Sequence, residues 1–122
     1  MAPDVAGSLG LESGAVAWAS LVPVRGREQG GHRPVVIVAS RGYLDTVTTL
    51  ALVVPITTTD RGWPNHIRLT GDVGLDVPCW AMTEQLRTIS RTRLTRVSGQ
   101  LSEGCLRDIR TWLADFLDLF TG

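Results

Sequence analysis

Two hydrophobic periods follow one another along the chain, and the change from the first to the second does most to limit its fold. AVAWASLV (Ala15–Val22), PVVIVAS (Pro34–Ser40) and LALVVPITT (Leu50–Thr58) are short apolar runs rich in β-formers and bounded by Gly and Pro, the pattern of strands. HIRLT (His66–Thr70) and CWAMTEQLRTI (Cys79–Ile89) alternate and read as two more, and RVSGQL (Arg96–Leu101) as a last one. Pro55 cannot donate to a ladder, so it is expected at an edge, a bulge or a strand end. From Ser102 onward, Leu106, Ile109, Leu113, Phe116, Leu117 and Phe120 recur at helical spacing. Ser102 is placed to cap that helix and Glu103 to complement its dipole. Several short strands closed by one amphipathic helix predict a mainly β (α+β) domain, a strongly bent antiparallel barrel with the helix against it.

At 122 residues the chain has room for one compact domain with a real core. The segment MAPDVAGSLGLES has neither a basic region nor a long apolar stretch and is unlike a secretory signal. Residues 1–13 are therefore expected to form a flexible leader, and residues 14–122 a single domain in the cytoplasm. No apolar run approaches the roughly 20 residues of a membrane span, so no membrane partner is expected. Cys79 and Cys105 lack a zinc-finger spacing and read as core thiols, and His32 and His66 form no HExxH pattern. Neither a metal nor a cofactor is expected.

The net charge is zero, but its distribution is uneven. All twelve basic residues are arginines, and residues 25–96 carry ten of them against six acids. A basic middle between acidic flanks can hold a polyanion, and the planar guanidinium is the better fork for phosphate.

The densest polar stretch is RGREQGGHRP (Arg25–Pro34), set immediately before a buried-looking strand. Its glycines at 26, 30 and 31 suit a sharp turn and close approach to a ligand, and Arg33 stands where the loop enters a rigid element. Together with GAVAWASLVPV before it, LVVPITTT and CWAMTEQLRTISRTRL after it, this stretch resembles the MazF/PemK family of toxin endoribonucleases from type II toxin–antitoxin modules. The resemblance runs from Gly14 to the C-terminal helix.

The resemblance implies an SH3-like barrel that forms a homodimer, is bound by a cognate MazE-like antitoxin, and cleaves single-stranded RNA at short preferred sequences without a metal. It also implies attack by the substrate's own 2′-hydroxyl, leaving a 2′,3′-cyclic phosphate and a 5′-hydroxyl. By resemblance, Arg33 matches the catalytic arginine, which can stabilise a dianionic transition state. Thr57 matches the catalytic Ser/Thr. Glu28 and Gln29 match the EQ pair of the loop, and Glu28 either acts as base or fixes Arg33. Glu84 is a further carboxylate candidate, the alternative being an ion pair with Arg87. RNA contacts are expected from Arg25, Arg27, Gln29, Gly30 and Gly31, from Trp63, Asn65 and His66 in the DRGWPNH segment, and from Gln85 and Arg87. Trp18, Trp80 and Trp112 are expected to be core or dimer contacts, and Arg91, Arg93 and Arg96 a solvated face.

One branch of the family, the Kid/PemK proteins, places an arginine, an aspartate and a histidine where this chain has Met82, Glu84 and Arg27. A methionine cannot donate a proton, which favours chemistry centred on Arg33 and Thr57. Two other classes are compatible with the fold: a CcdB-like toxin that binds gyrase, and a noncatalytic module that binds RNA or antitoxin. The phosphate-binding character of RGREQGGHRP argues against the first.

Overall fold

A computed structural model describes residues 10–21 and 31–119. Its elements are β1 (Ala15–Ser20), β2 (His32–Ile37), α1 (Arg41–Thr46), β3 (Leu50–Thr57), β4 (His66–Arg68), β5 (Gly71–Asp72), β6 (Trp80–Met82), β7 (Arg87–Ser90), β8 (Leu94–Leu101) and α2 (Glu103–Phe116), with 3-10 turns at Thr83–Gln85 and Arg91–Arg93. The strands form one sheet in the order β4-β6-β3-β2-β1-β8-β5, with β7 also paired to β3. Every pairing is antiparallel. The sheet curls into the half-barrel expected of a mainly β, SH3-like fold.

The central strands read as unbroken apolar runs because both their faces are covered. Ala15, Ala17, Ala19, Val35, Ile37, Ala51 and Val53 point into one cluster, closed by Leu44 of α1, Ile89 and Leu94. Val16, Val36, Val54 and Ile56 point into the other, against Cys105, Ile109 and Leu113 of α2. Successive strand residues alternate faces, so each run divides cleanly between the two layers. The pairing of β1 with β8 slips between Val16 and Ala17 and again between Trp18 and Ala19. Such irregularities add local twist and help a sheet curl. Gly99 permits the next closure, since a Cβ there would lie 2.3 Å from the Asp72 carbonyl oxygen.

Four boundaries differ from expectation. CWAMTEQLRTI is two strands, β6 and β7, broken by the 3-10 turn, so that β3 pairs with β7 along Leu50–Val53 and with β6 at Ile56–Thr57. Pro55 lies inside this central strand, neither at an edge nor at its end. It falls where one flank of β3 passes from β7 to β6, a gap in the ladder that tolerates a residue with no N–H. Helix α1, capped by the Ser40 hydroxyl, and the two-residue strand β5 carry too few apolar repeats to be read from pattern. Ordered packing also begins before Gly14: Leu11 is buried, and Ser13 accepts hydrogen bonds from Gln100 and Arg110. The Ser102 cap is as expected, its Oγ accepting from the Cys105 N–H at 3.3 Å.

Candidate functional site

A cavity of about 910 Å³ opens where the ends of β1, β2 and β3 approach the segments that flank β6. Arg33, Arg61, Arg87 and Arg96 line it, against a single carboxylate among the described residues, Asp76. These arginines come from β2, the loop after β3, β7 and β8, so the positive character is assembled by the fold from positions far apart in sequence. Convergence of like charges in one concavity raises the local concentration of an anionic ligand.

Arg33 is the second residue of β2, held opposite Ala19 of β1, and it is exposed. Among the described residues the ion pairs are Arg41–Asp45 and His66–Glu84, so Arg33 is not tied to Glu84. Thr57 ends β3 opposite Trp80, and its Oγ1 accepts the Thr59 N–H at 3.1 Å. That bond engages a lone pair and leaves the hydroxyl proton free to donate into the cavity. Gln85 also lines the cavity, as does Met82, whose sulfur is 3.5 Å from Gln85 Nε2 and 3.9 Å from Arg61 Nη1. The Met82 position thus holds an arginine near the site, although it contributes none itself. Burial pushes the Cys79 thiol up, so this cavity-lining cysteine stays protonated at neutral pH and is not an activated nucleophile.

Glu84 is engaged elsewhere. Both its oxygens lie 3.0 Å from His66 Nε2, and Oε1 accepts from Asn65 Nδ2 at 2.8 Å. The Thr83 hydroxyl donates to the Asn65 carbonyl at 2.7 Å. These bonds staple the loop after β3 to the 3-10 turn that presents Gln85. The carboxylate's partner is therefore His66 and not Arg87. Trp63 is 49% exposed and packs on the His66 ring, with centroids 4.7 Å apart. Trp63, Asn65 and His66 do not line the cavity among its described walls.

Burial alone would raise the Glu84 pKa, but hydrogen bonds from His66 and the backbone, with the His66 charge, bring it below the ordinary 4.5. The stabilisation this supplies is complete above the unfolded value and is lost as pH falls through the lower folded-state pKa. Glu84→Gln is expected to cost less than about 1 kcal/mol at pH 7, because solvent screens part of the charge on this exposed carboxylate. Thermal melts of the two proteins should converge as pH drops below 4.5; melts separated equally at pH 7 and pH 3 would show that the charge is not what holds the loop.

The remaining candidates divide. Arg25, Arg27, Glu28, Gln29 and Gly30 lie outside the described residues. Gly31 is exposed, and among the described residues no atom lies within 4 Å of where a Cβ would stand. The three arginines expected to form a solvated face do not form one. Arg91 is buried and donates to the carbonyls of Leu44, Val47 and Leu50. Arg93 donates to the Ser20 carbonyl, and Arg96 lies over the Trp18 ring at the cavity wall. Trp18 and Arg96 were not legible as site residues, because nothing local in the chain announces that β1 and β8 are neighbours.

Over residues 12–117 the chain matches the family described as PemK-like, MazF-like toxin of type II toxin–antitoxin system. It is 32% identical over 117 residues to the endoribonuclease MazF9 of Mycobacterium tuberculosis, an alignment covering 91% of this chain and 99% of that one. Among solved structures it resembles MazF from Deinococcus radiodurans, with a TM-score of 0.72 at 25% identity over 88% of this chain and 96% of that one. The fold also matches a MazE-MazF structure from the same organism, with a TM-score of 0.75 at 23% identity over 89% and 96% of the two chains. The chain belongs to the PemK-like, MazF-like toxins of type II toxin–antitoxin systems, the family of these MazF endoribonucleases.

Proposed function

We propose that this toxin cleaves single-stranded RNA at a short preferred sequence, without a metal, by attack of the substrate's 2′-hydroxyl on the adjacent phosphorus. The observation that carries this reading is the arginine-lined cavity whose walls include both Arg33 and Thr57. The 2′-oxygen loses its proton to a base and bonds to phosphorus, the bond to the 5′-oxygen breaks, and that oxygen takes up a proton. Products are a 2′,3′-cyclic phosphate and a 5′-hydroxyl. Charge develops on the nonbridging oxygens, where the Arg33 fork supplies two parallel hydrogen bonds and Thr57 one more. Thr57 accepts the Thr59 N–H, which polarises its own O–H and fixes its direction. Arg33 is assigned to charge stabilisation through its planar fork and not to proton transfer. Glu28 is the candidate base, while Glu84 positions Gln85 and the neighbouring loop through His66 and Asn65. Arg25, Arg27, Gln29, Gly30 and Gly31 are the further groups proposed to contact the RNA backbone.

The direct test is incubation of purified protein with a mixed RNA pool in EDTA, with the product ends mapped by sequencing. Recurring cuts at one motif with 5′-hydroxyl ends support the reading; a folded protein that leaves messenger, transfer and ribosomal RNA intact refutes it. Thr57→Val is expected to slow cleavage by about 10²-fold with little change in RNA affinity, and Thr57→Ser to restore most of the rate. Single-turnover rates and binding curves on one RNA separate the two effects.

The partners follow from the same reading: a cognate antitoxin, and a second copy of the chain. A second groove of about 820 Å³ beside α2 is lined by Val38, Leu52, Leu86, Leu106, Leu113 and Leu117, an apolar surface of the kind such partners cover. Exposed Leu119 also lines it, and exposed Phe116 lies beside it on α2. An antitoxin tail that competes with RNA at Arg33 would silence the enzyme. Simultaneous binding of antitoxin and uncleavable RNA, with no mutual weakening, would contradict that competition.

A further inference from the structure

We propose that Arg96, held over the ring of Trp18, is a stacking platform that receives one base of the RNA beside the scissile phosphate; this rests on the RNA-cleavage reading above. The guanidinium carbon of Arg96 lies 4.8 Å from the Trp18 ring centroid. That distance is within the range of a cation–π contact, which holds a guanidinium against one ring face and orients it. The two residues are register partners across β1 and β8, so the pair is built on rigid strands and not on a loop.

Its place relative to Arg33 gives the pair a function. Trp18 stands opposite Pro34, and the next pair along the same ladder is Ala19 with Arg33. Arg33 is thus on the neighbouring strand, one position beyond the register partner of Trp18, and Trp18, Arg33 and Arg96 all line the same cavity at the strand ends. A nucleotide whose phosphate reaches Arg33 brings a neighbouring base to this wall. Single-stranded RNA is commonly read by unstacked bases laid on aromatic rings or guanidinium planes.

Three further observations favour this pair over other candidates. Trp18 is the only aromatic residue among the described walls of the cavity, whereas Trp80 carries Arg68 outside it at 5.8 Å and Trp63 packs on His66. Arg96 is exposed and has no carboxylate within ion-pair distance among the described residues, so its outer side is available to a ligand. The Trp18 Nε1–H is buried and finds no acceptor among the described residues. The ring is thus held by its faces and by strand register, not by its polar edge, and buried indoles ordinarily satisfy that edge.

The experiment uses the full chain and a 2′-O-methylated RNA spanning the cleavage site mapped for the wild type. Each nucleotide near the cut is replaced in turn by an abasic one. For the wild type, one position adjacent to the cut is expected to lose about 5- to 100-fold in affinity when abasic, the range of a single stacked base. Arg96→Lys keeps the charge but not the planar group. It should bind the intact RNA more weakly by a similar factor and become indifferent to the abasic replacement at that same position. Trp18→Phe, tested alongside, should show a reduced dependence there. If the wild type cleaves and Arg96→Lys shows the same abasic profile as the parent, the platform is refuted while RNA cleavage stands. If the wild type neither binds nor cleaves any RNA, the cleavage reading itself fails and takes this inference with it.

Discussion

Arg33→Ala is expected to reduce RNA cleavage by about 10³-fold while leaving the melting temperature unchanged. The kinetic size follows from removing a bidentate cationic donor aimed at charge that develops only in the transition state, where one lost donor costs about 10²–10³-fold. The structural indifference follows from exposure: the side chain lines the cavity and makes no ion pair with any described acid. Arg33→Lys should recover only part of the rate, because an ammonium keeps the charge but not the two parallel hydrogen bonds. Single-turnover cleavage under saturating protein isolates the effect from binding. If Arg33→Ala lowered affinity and rate by the same factor at every RNA concentration, Arg33 would be a general phosphate anchor and not a stabiliser of the transition state.

The largest stability effect is expected at a different arginine. Arg91 is buried and meets no carboxylate among the described residues; its Nε and Nη2 donate to the carbonyls of Leu50 and Val47 at 2.9 and 3.0 Å, and Nη2 also to Leu44. Two of those carbonyls belong to the end of α1 and its exit, where a short helix leaves acceptors unpaired and the dipole favours a cation. Replacing Arg91 by leucine fills the space but leaves the carbonyls without donors. A loss of about 3 kcal/mol is expected, on the scale of breaking one side of a buried charged interaction. In a domain of this size that lowers the melting temperature by about 10 °C. Cleavage by the folded fraction should be unaffected, because Arg91 does not line the cavity. A melt within 2 °C of the parent, on the order of the effect of an ordinary surface substitution, would mean that water serves those carbonyls equally well.

The two arginines differ in a way the chain could not announce. In sequence, Arg91, Arg93 and Arg96 look alike, three cations in one polar stretch. Their fates are set by strand pairing: Arg91 caps α1, Arg93 reaches the end of β1, and Arg96 meets Trp18. Glu84 shows the same limit. Its spacing to Arg87 suggested a local ion pair, yet the turn at Thr83–Gln85 carries its carboxylate to His66, eighteen residues away in the chain. A long-range pairing of this kind leaves no local trace.

What the sequence by itself determined was whatever depends on period and capping. The three central strands, the amphipathic α2 and its Ser102 cap could be read because alternating or helical burial writes itself into neighbouring residues. The family was also legible, because RGREQGGHRP and EQLRTI are short contiguous motifs. Only the tertiary structure decided which side chains share a cavity. Arg33, Thr57, Arg61, Arg87 and Arg96 come from separate strands and loops, and an antiparallel sheet that curls back on itself brings them together. Proximity in such a sheet is set by register between strands, which no local pattern of residues encodes.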